Sequence, residues 1–239
     1  MKRQSLIGIS LAAAIMSAWA AVQIFGLFFL TLSGPGLLLA GMLVPFICWL
    51  NVGLFIIAHD AMHGSLASQF PSTNRLLGQL ALSLYAAFPF ERLRRHHMDH
   101  HRHPGTASDP DFDVSQPSRW WPWYGRFLKR YFGLKEFLRL CIPIGLLLLI
   151  GAKLQNILFL WALPAALSSF QLFYFGTFRP HRQEARAFID HHRARSSDFA
   201  WLLSLMTCFH FGYHHEHHAS PHVPWWRLPS ERHRSKLAR

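Results

Sequence analysis

Two long runs of apolar residues, at 6–32 and 37–58, fill the first quarter of the chain and are separated by Ser33-Gly34-Pro35-Gly36. Each is long enough to cross a bilayer as a helix at about 20 residues per crossing. The Gly-Pro tetrapeptide is a tight turn, so the two runs form a helical hairpin. A second hairpin is expected from 137 to 178, reversing near Gly151-Ala152-Lys153, with Pro143 and Pro164 tolerable inside membrane helices. The apolar segments 76–90 and 199–211 are short for crossings and read as interfacial or re-entrant. The pattern predicts an all-α integral membrane fold over residues 1–239. It consists of four transmembrane helices in two hairpins, short interfacial or re-entrant helices and a polar, histidine-rich cap.

The first run follows Lys2 and Arg3 and contains Ala18-Trp19-Ala20, which resembles a signal-peptide cleavage site. The hydrophobic run continues well past it and exceeds a signal core of roughly 7–15 residues, so it reads as a retained span.

Composition agrees with this reading, because 51% of the residues are hydrophobic and only 15% charged, where soluble domains carry about a quarter charged. The formal charge of +12 would suit a nucleic-acid binder, but no Lys or Arg lies between Arg3 and Arg75. Basic residues therefore flank apolar spans instead of forming a binding face, and no recognition motif accompanies them; nucleic acid is excluded as a partner. Of the 24 Lys and Arg residues only Lys153 falls on the far side of the expected topology. The positive-inside rule then puts both termini and the polar segments around residues 59–63, 96–103 and 214–218 in the cytoplasm, as expected for a bacterial inner membrane. Parity gives the same answer independently, since zero and then two crossings separate those segments and leave them on one face. Cys48, Cys141 and Cys208 are widely spaced and read as reduced packing residues.

The 17 histidines carry the chemistry, and the first is His59, at the end of the second run. His59 and His63 are spaced i,i+4 and share one helical face. His97-Met98-Asp99-His100-His101 has the form HxxHH, with positions 97, 100 and 101 on one side of a helix; His96 with His100 and His101 reads equally well, so this register stays open. His214, His217 and His218 repeat HxxHH. Imidazole suits iron, zinc, copper and nickel. Eight imidazoles exceed the three or four protein ligands of a usual zinc site and suit two metals with positions left open for oxygen. A zinc protease needs HExxH, and His215-Glu216 would require a histidine at Ala219. A storage tract of solvated histidines would need neither this spacing nor placement at the ends of apolar hairpins. Asp60, Asp99, Asp109, Asp111 and Glu216 lie beside the boxes as candidates to orient ligating imidazoles. Asp60 is foremost, because a charge ending an apolar helix needs a partner; Asp109 and Asp111 equally suit a loop turn.

The three boxes resemble those of the membrane fatty-acid desaturase and hydroxylase superfamily across nearly the whole chain. More narrowly, three stretches resemble the bacterial beta-carotene ketolases. They are His59-Asp60-Ala61-Met62-His63-Gly64, His101-Arg102-His103-Pro104-Gly105 with Asp109-Pro110-Asp111-Phe112, and Pro221-His222-Val223-Pro224-Trp225-Trp226-Arg227-Leu228-Pro229. The resemblance implies two non-haem iron ions, O2 as co-substrate, and His59, His63, His97, His100, His101, His214, His217 and His218 as ligands. Related enzymes take a further ligand from a helix end upstream of the third box, and His181 is the matching position. It also implies a carotenoid substrate oxidised at carbon 4 of a beta-ionone ring. Two hydroxylations give a geminal diol that loses water to the ketone, taking beta-carotene through echinenone to canthaxanthin.

An acyl-lipid desaturase or hydroxylase with the same iron site is the nearer alternative. A membrane metal-binding or transport protein is the more distant one, since transporters place ligands at the midplane of broken helices. No haem-attachment motif, flavin fingerprint or ferredoxin-type cysteine set is present, so electrons are expected from a separate ferredoxin-like donor. The basic segments 92–102 and 179–195 could attract an acidic one. Arg119-Trp120-Trp121-Pro122-Trp123-Tyr124 and Trp225-Trp226-Arg227 are expected at the headgroup level as anchors alongside membrane lipid, with a way in for the substrate as the alternative.

Overall fold

The first apolar run becomes helix α1 (Lys2–Phe29) and the second α2 (Pro35–Met62), each of 28 residues, in a computed structural model that describes residues 2–237. At 1.5 Å per residue each rises about 42 Å, enough to cross hydrocarbon with tilt. The end of α1 is a wide turn in which Leu30 N–H donates to the Phe25 carbonyl at 3.1 Å, and residues 31–34 then reverse the chain. The short apolar segment after His63 forms α3 (Pro71–Ala86), and α4 (Phe90–Arg102) carries the second histidine box. A long loop leads to α5 (Trp120–Tyr131) and α6 (Leu134–Leu149). A third long helix, α7 (Leu154–His181), ends on His181. The remaining elements are α8 (Trp201–Cys208), α9 (His214–Ala219), which is the third box, and α10 (Leu228–Leu237). No strand occurs among the described residues.

Three helices among the described residues, α1, α2 and α7, are long and apolar enough to cross a membrane. The expected fourth crossing forms a helix that is short for a full span. Helix α6 begins only after Gly133 and stops at Leu149, and its 16 residues rise about 24 Å against about 30 Å of hydrocarbon. Its apolar side chains are nonetheless largely exposed, Leu149 by 83%. The segments expected to be too short to cross are so, and the second reversal falls at residues 150–153.

Helix α2 is the axis of the fold. From Ile47 onward it is buried almost on every side, packed against α1, α3 and α7, with Leu50, Leu54 and Ile57 in one core with Leu82 and Phe209. Polar side chains inside this apolar bundle find partners within it for part of their hydrogen-bonding capacity. Trp19 Nε1 donates to Asn51 Oδ1 at 2.7 Å, and Asn156 donates to the carbonyls of Gly26 and Leu30, tying α7 to the end of α1. The first helix is thus packed into the fold by these contacts.

Two tryptophans expected as interfacial anchors are interior instead. Trp123 is buried against Phe173 and Phe178 and donates to the Asp111 carbonyl. Trp225 is buried against Phe209. Trp120 and Trp121 remain exposed. The three cysteines are free, with Cys48 and Cys208 buried.

Candidate metal centre

Helix α2 delivers the first box by ending there, with His59 in its last turn and His63 just past it. Arg94 of α4 donates from Nε to the Met62 carbonyl at 3.1 Å, using one of the carbonyls that a helix C-terminus leaves without an intrahelical partner. That contact fixes α4 beside α2. Arg92, also on α4, bonds the buried Glu136 carboxylate at 2.5 Å and so ties the same helix to α6.

The nine candidate histidines fall into two adjoining groups. His59, His63, His97, His101 and His217 form one and His100, His181, His214 and His218 the other, the ligand nitrogens within each group lying within 4.8 Å of one another. The two HxxHH boxes therefore split. In α4 the i,i+4 pair His97 and His101 joins the five-histidine group while His100 turns to the other; in α9 the pair His214 and His218 joins the four-histidine group while His217 crosses over. The groups touch where the His101 and His218 rings stack at 4.2 Å. His97, not His96, is the residue brought in. His96 lies outside both groups against the Tyr131 ring.

The donor set fits metal ions. His59 and His217, His63 and His97, and His101 and His217 bring their Nε2 atoms to 3.1, 2.7 and 3.0 Å. His100 and His218, and His214 and His218, do so at 3.2 and 3.1 Å. Neutral imidazoles repel when lone pairs converge this way, whereas nitrogens about 2.1 Å from one metal and at right angles to each other sit about 3 Å apart. Burial together with neighbouring positive charge holds His97, His101, His214, His217 and His218 well below the ordinary imidazole pKa, and holds His63 down to about 3. These rings are neutral and free to ligate at physiological pH. His100 differs. Burial disfavours its charge, but hydrogen bonding to Asp109 and that carboxylate's own charge outweigh it and raise the pKa.

Of the five candidate orienting acids, two hydrogen-bond a ligand-group imidazole. Asp109 is buried and lies 3.0 Å from His100 Nδ1 through either oxygen. Gly105, at φ +65° in a turn that favours glycine, donates its N–H to the same carboxylate at 2.8 Å. Asp60 lies 3.3 Å from His59 Nδ1 and accepts from the Trp225 N–H at 2.9 Å. The other three act elsewhere. Asp99 pairs with Arg102 at the surface because it sits on the outer face of α4. Asp111 accepts from the Tyr131 hydroxyl. Glu216, whose side chain leaves α9 on the side away from both groups, accepts from Ser196, Ser235 and Arg232. Sequence reasoning missed two partners: the Arg193 carbonyl, 2.8 Å from His181 Nδ1, and Asp190, 2.8 Å from His215 Nε2. A backbone carbonyl leaves no trace in residue identity, while Asp190 beside His191 and His192 was a legible hint.

Among the described residues the fold is all-helical, with three helices long and apolar enough to cross a membrane and two adjoining histidine groups that could hold metal ions. The chain belongs to the fatty acid desaturase family, whose profile matches residues 33–145 and 136–238. Within it, the chain is 48% identical over 230 residues to a beta-carotene ketolase of Paracoccus sp. (strain PC1), covering 95% of this chain and 93% of that one. It is 50% identical over 221 residues to a beta-carotene ketolase of Paracoccus sp. (strain N81106 / MBIC 01143), covering 91% and 89%. A zeaxanthin 4-ketolase of Chlamydomonas reinhardtii is 40% identical over 243 residues, covering 95% of this chain and 53% of the alga's.

Proposed function

We propose that this chain is an O2-dependent carotenoid 4-ketolase with a di-iron centre held by the nine histidines, converting the C4 methylene of a beta-ionone ring to a ketone. The observation that carries the reading is the division of nine imidazoles into two adjoining groups with converging Nε2 atoms, in a chain so similar to proteins named beta-carotene ketolase. Two bound iron ions would supply the redox chemistry that activates O2. The protein's part is to hold and orient. Asp60, Asp109 and the Arg193 carbonyl fix the outer nitrogens of His59, His100 and His181, which sets each tautomer and ring plane. The four-histidine group is buried, as are His59 and His217 of the other, which would limit water around a reaction on an unactivated C–H bond. Each hydroxylation takes one O2, two electrons and two protons and releases one water; two at the same carbon give a geminal diol, which dehydrates to the ketone.

Four crossings remain the topology best matched to the charge distribution, with α6 crossing where the bilayer thins or its flanks contribute; the exposure of Leu138, Ile142 and Leu146 supports lipid contact. The groups then face the cytoplasm, where a ferredoxin-like donor would dock. Exposed Arg94, Arg95 and Arg102 flank His101 on that face and would favour an acidic one.

Expression in a host that accumulates beta-carotene tests the reading. Echinenone and canthaxanthin, with a shift from yellow-orange toward red, are the expected result. Unchanged carotenoids beside altered fatty acids would overturn it in favour of an acyl-lipid enzyme.

A further inference from the structure

Helix α5 does not touch the histidine groups, yet it holds the loop that does. Trp123 Nε1 donates to the Asp111 carbonyl at 2.7 Å, the Tyr131 hydroxyl donates to the Asp111 carboxylate, and Arg126 pairs with Asp113 at 3.0 Å. Asp111 in turn donates its N–H to Asp109 Oδ1 at 2.8 Å, and Asp109 bonds His100. On its outer side the loop borders a cavity of about 240 Å³ lined by Asp109, Asp111, Trp123 and Arg130. Within the loop Gly105 N–H holds the same Asp109 carboxylate, and from outside it the hydrogen bonds of α5 fix Asp111, whose N–H meets the other Asp109 oxygen. The same Trp123 ring packs edge-to-face against Phe173 and Phe178 of α7, the latter three residues before His181.

We propose that two side chains of α5 brace one metal position only: Tyr131 and Trp123, acting through Asp111 and Asp109, position the four-histidine site and leave the five-histidine site to stand without them. The chain of contacts ends on His100, and its packing arm ends beside His181, both members of the four-histidine group. Among the described residues no hydrogen bond from α5 reaches a ring of the five-histidine group. Tyr131 is a positioning residue here, since it meets neither metal nor substrate. The inference rests on the di-iron reading and adds an asymmetry to it.

Tyr131→Phe is the direct test, because it deletes one hydroxyl and keeps the ring that packs on His96. Purified, iron-loaded protein is measured for iron per chain, Mössbauer spectrum and rate of iron loss to a chelator. Tyr131→Phe is expected to release one iron on the order of tenfold faster, the low end of what loss of an outer partner costs. It should settle near one iron per chain, with the spectrum of an isolated ion replacing that of a coupled pair. Asp111→Leu should behave alike, and the double variant no worse than either single one. Asp111→Asn keeps an acceptor for Tyr131 and should retain both irons. Tyr124→Phe, which deletes a hydroxyl of the same helix bonded only to Ser169 at 2.6 Å, should also retain both. If Tyr131→Phe folds poorly, Trp123→Phe reads the same asymmetry through the other hydrogen bond. Two irons with an unchanged spectrum in Tyr131→Phe, or loss of both irons at one rate, overturns the inference. Fewer than two irons in the unsubstituted protein overturns the di-iron reading itself and takes the inference with it.

Discussion

The Nδ1 atom of His181 lies 2.8 Å from the carbonyl oxygen of Arg193, and its Nε2 is buried without a hydrogen-bond partner. The carbonyl can only accept, so Nδ1 carries the proton and Nε2 presents its lone pair within the four-histidine group. A ligand supplied from the end of a membrane helix is thereby fixed by a backbone atom of the loop 12 residues on.

Replacing His181 or His97 with Ala is expected to lower ketone formation at least about 100-fold and to reduce bound iron. His96→Ala should leave both nearly unchanged, because its ring lies outside the groups. Pigment analysis with metal measurement on the three variants separates the two registers of the second box.

Asp60→Ala removes the partner of His59 Nδ1 and the acceptor of the Trp225 N–H together. An orphaned buried N–H costs about 1–3 kcal/mol, so a lower Tm is expected beside weaker iron binding. Asp109→Asn keeps an acceptor for His100 and should lose iron affinity with a smaller change in Tm.

Glu216 acts on the third box through its helix. Its buried carboxylate joins Ser196, Ser235 and Arg232, and Arg232 also reaches Asp198 at 2.7 Å. Arg232→Ala leaves that carboxylate without its cation, a change of about 3 kcal/mol for a largely buried pair. Thermal unfolding in detergent should show the loss, and Glu216→Gln should be milder because its amide oxygen can still accept from Ser235 and Arg232 while its NH2 donates to the Ser196 hydroxyl oxygen.

Close helix packing makes a sharper contrast between two glycines. A Cβ on Gly8 would stand 1.9 Å from the Leu66 carbonyl oxygen and 2.9 Å from the Trp226 ring, whereas one on Gly41 meets nothing within 4 Å. Gly8→Ala is expected to destabilise by about 1–3 kcal/mol. Gly41→Ala should be neutral or stabilise by up to about 1 kcal/mol from helix propensity. Detergent melts of the two variants give the comparison.

If an acidic donor docks beside His101, Arg95→Glu and Arg102→Glu should raise KM for the donor, leave kcat nearly constant and flatten its dependence on ionic strength. Steady-state kinetics across a salt series reads this directly. An unchanged salt dependence would move the docking face elsewhere.

Much of this protein was legible in residue order, because apolar run length and i,i+4 spacing are local properties. The first hairpin, the reversal at residues 150–153 and the helical placement of the histidine boxes follow from such patterns, whereas His181 was reached only through the family resemblance. Helix α6 covers the expected first arm of the second hairpin, but its 16 residues leave it short of a full crossing by length, which apolar composition alone did not reveal. Trp123 and Trp225 were misplaced because an indole suits both the headgroup level and a buried site with an acceptor or packing partner.

Sequence by itself determined that the histidines lie on helices at the polar ends of apolar segments, since hydrophobicity and helical period act through neighbours along the chain. Only the tertiary structure decided how the boxes divide. Residues 100 and 101 are adjacent in sequence yet about 100° apart around α4, and which of two groups each meets depends on where α2, α7 and α9 stand around it. The same holds for the acids: Asp109 reaches His100 and Glu216 reaches Arg232 because of contacts between segments distant in the chain, which no local pattern records.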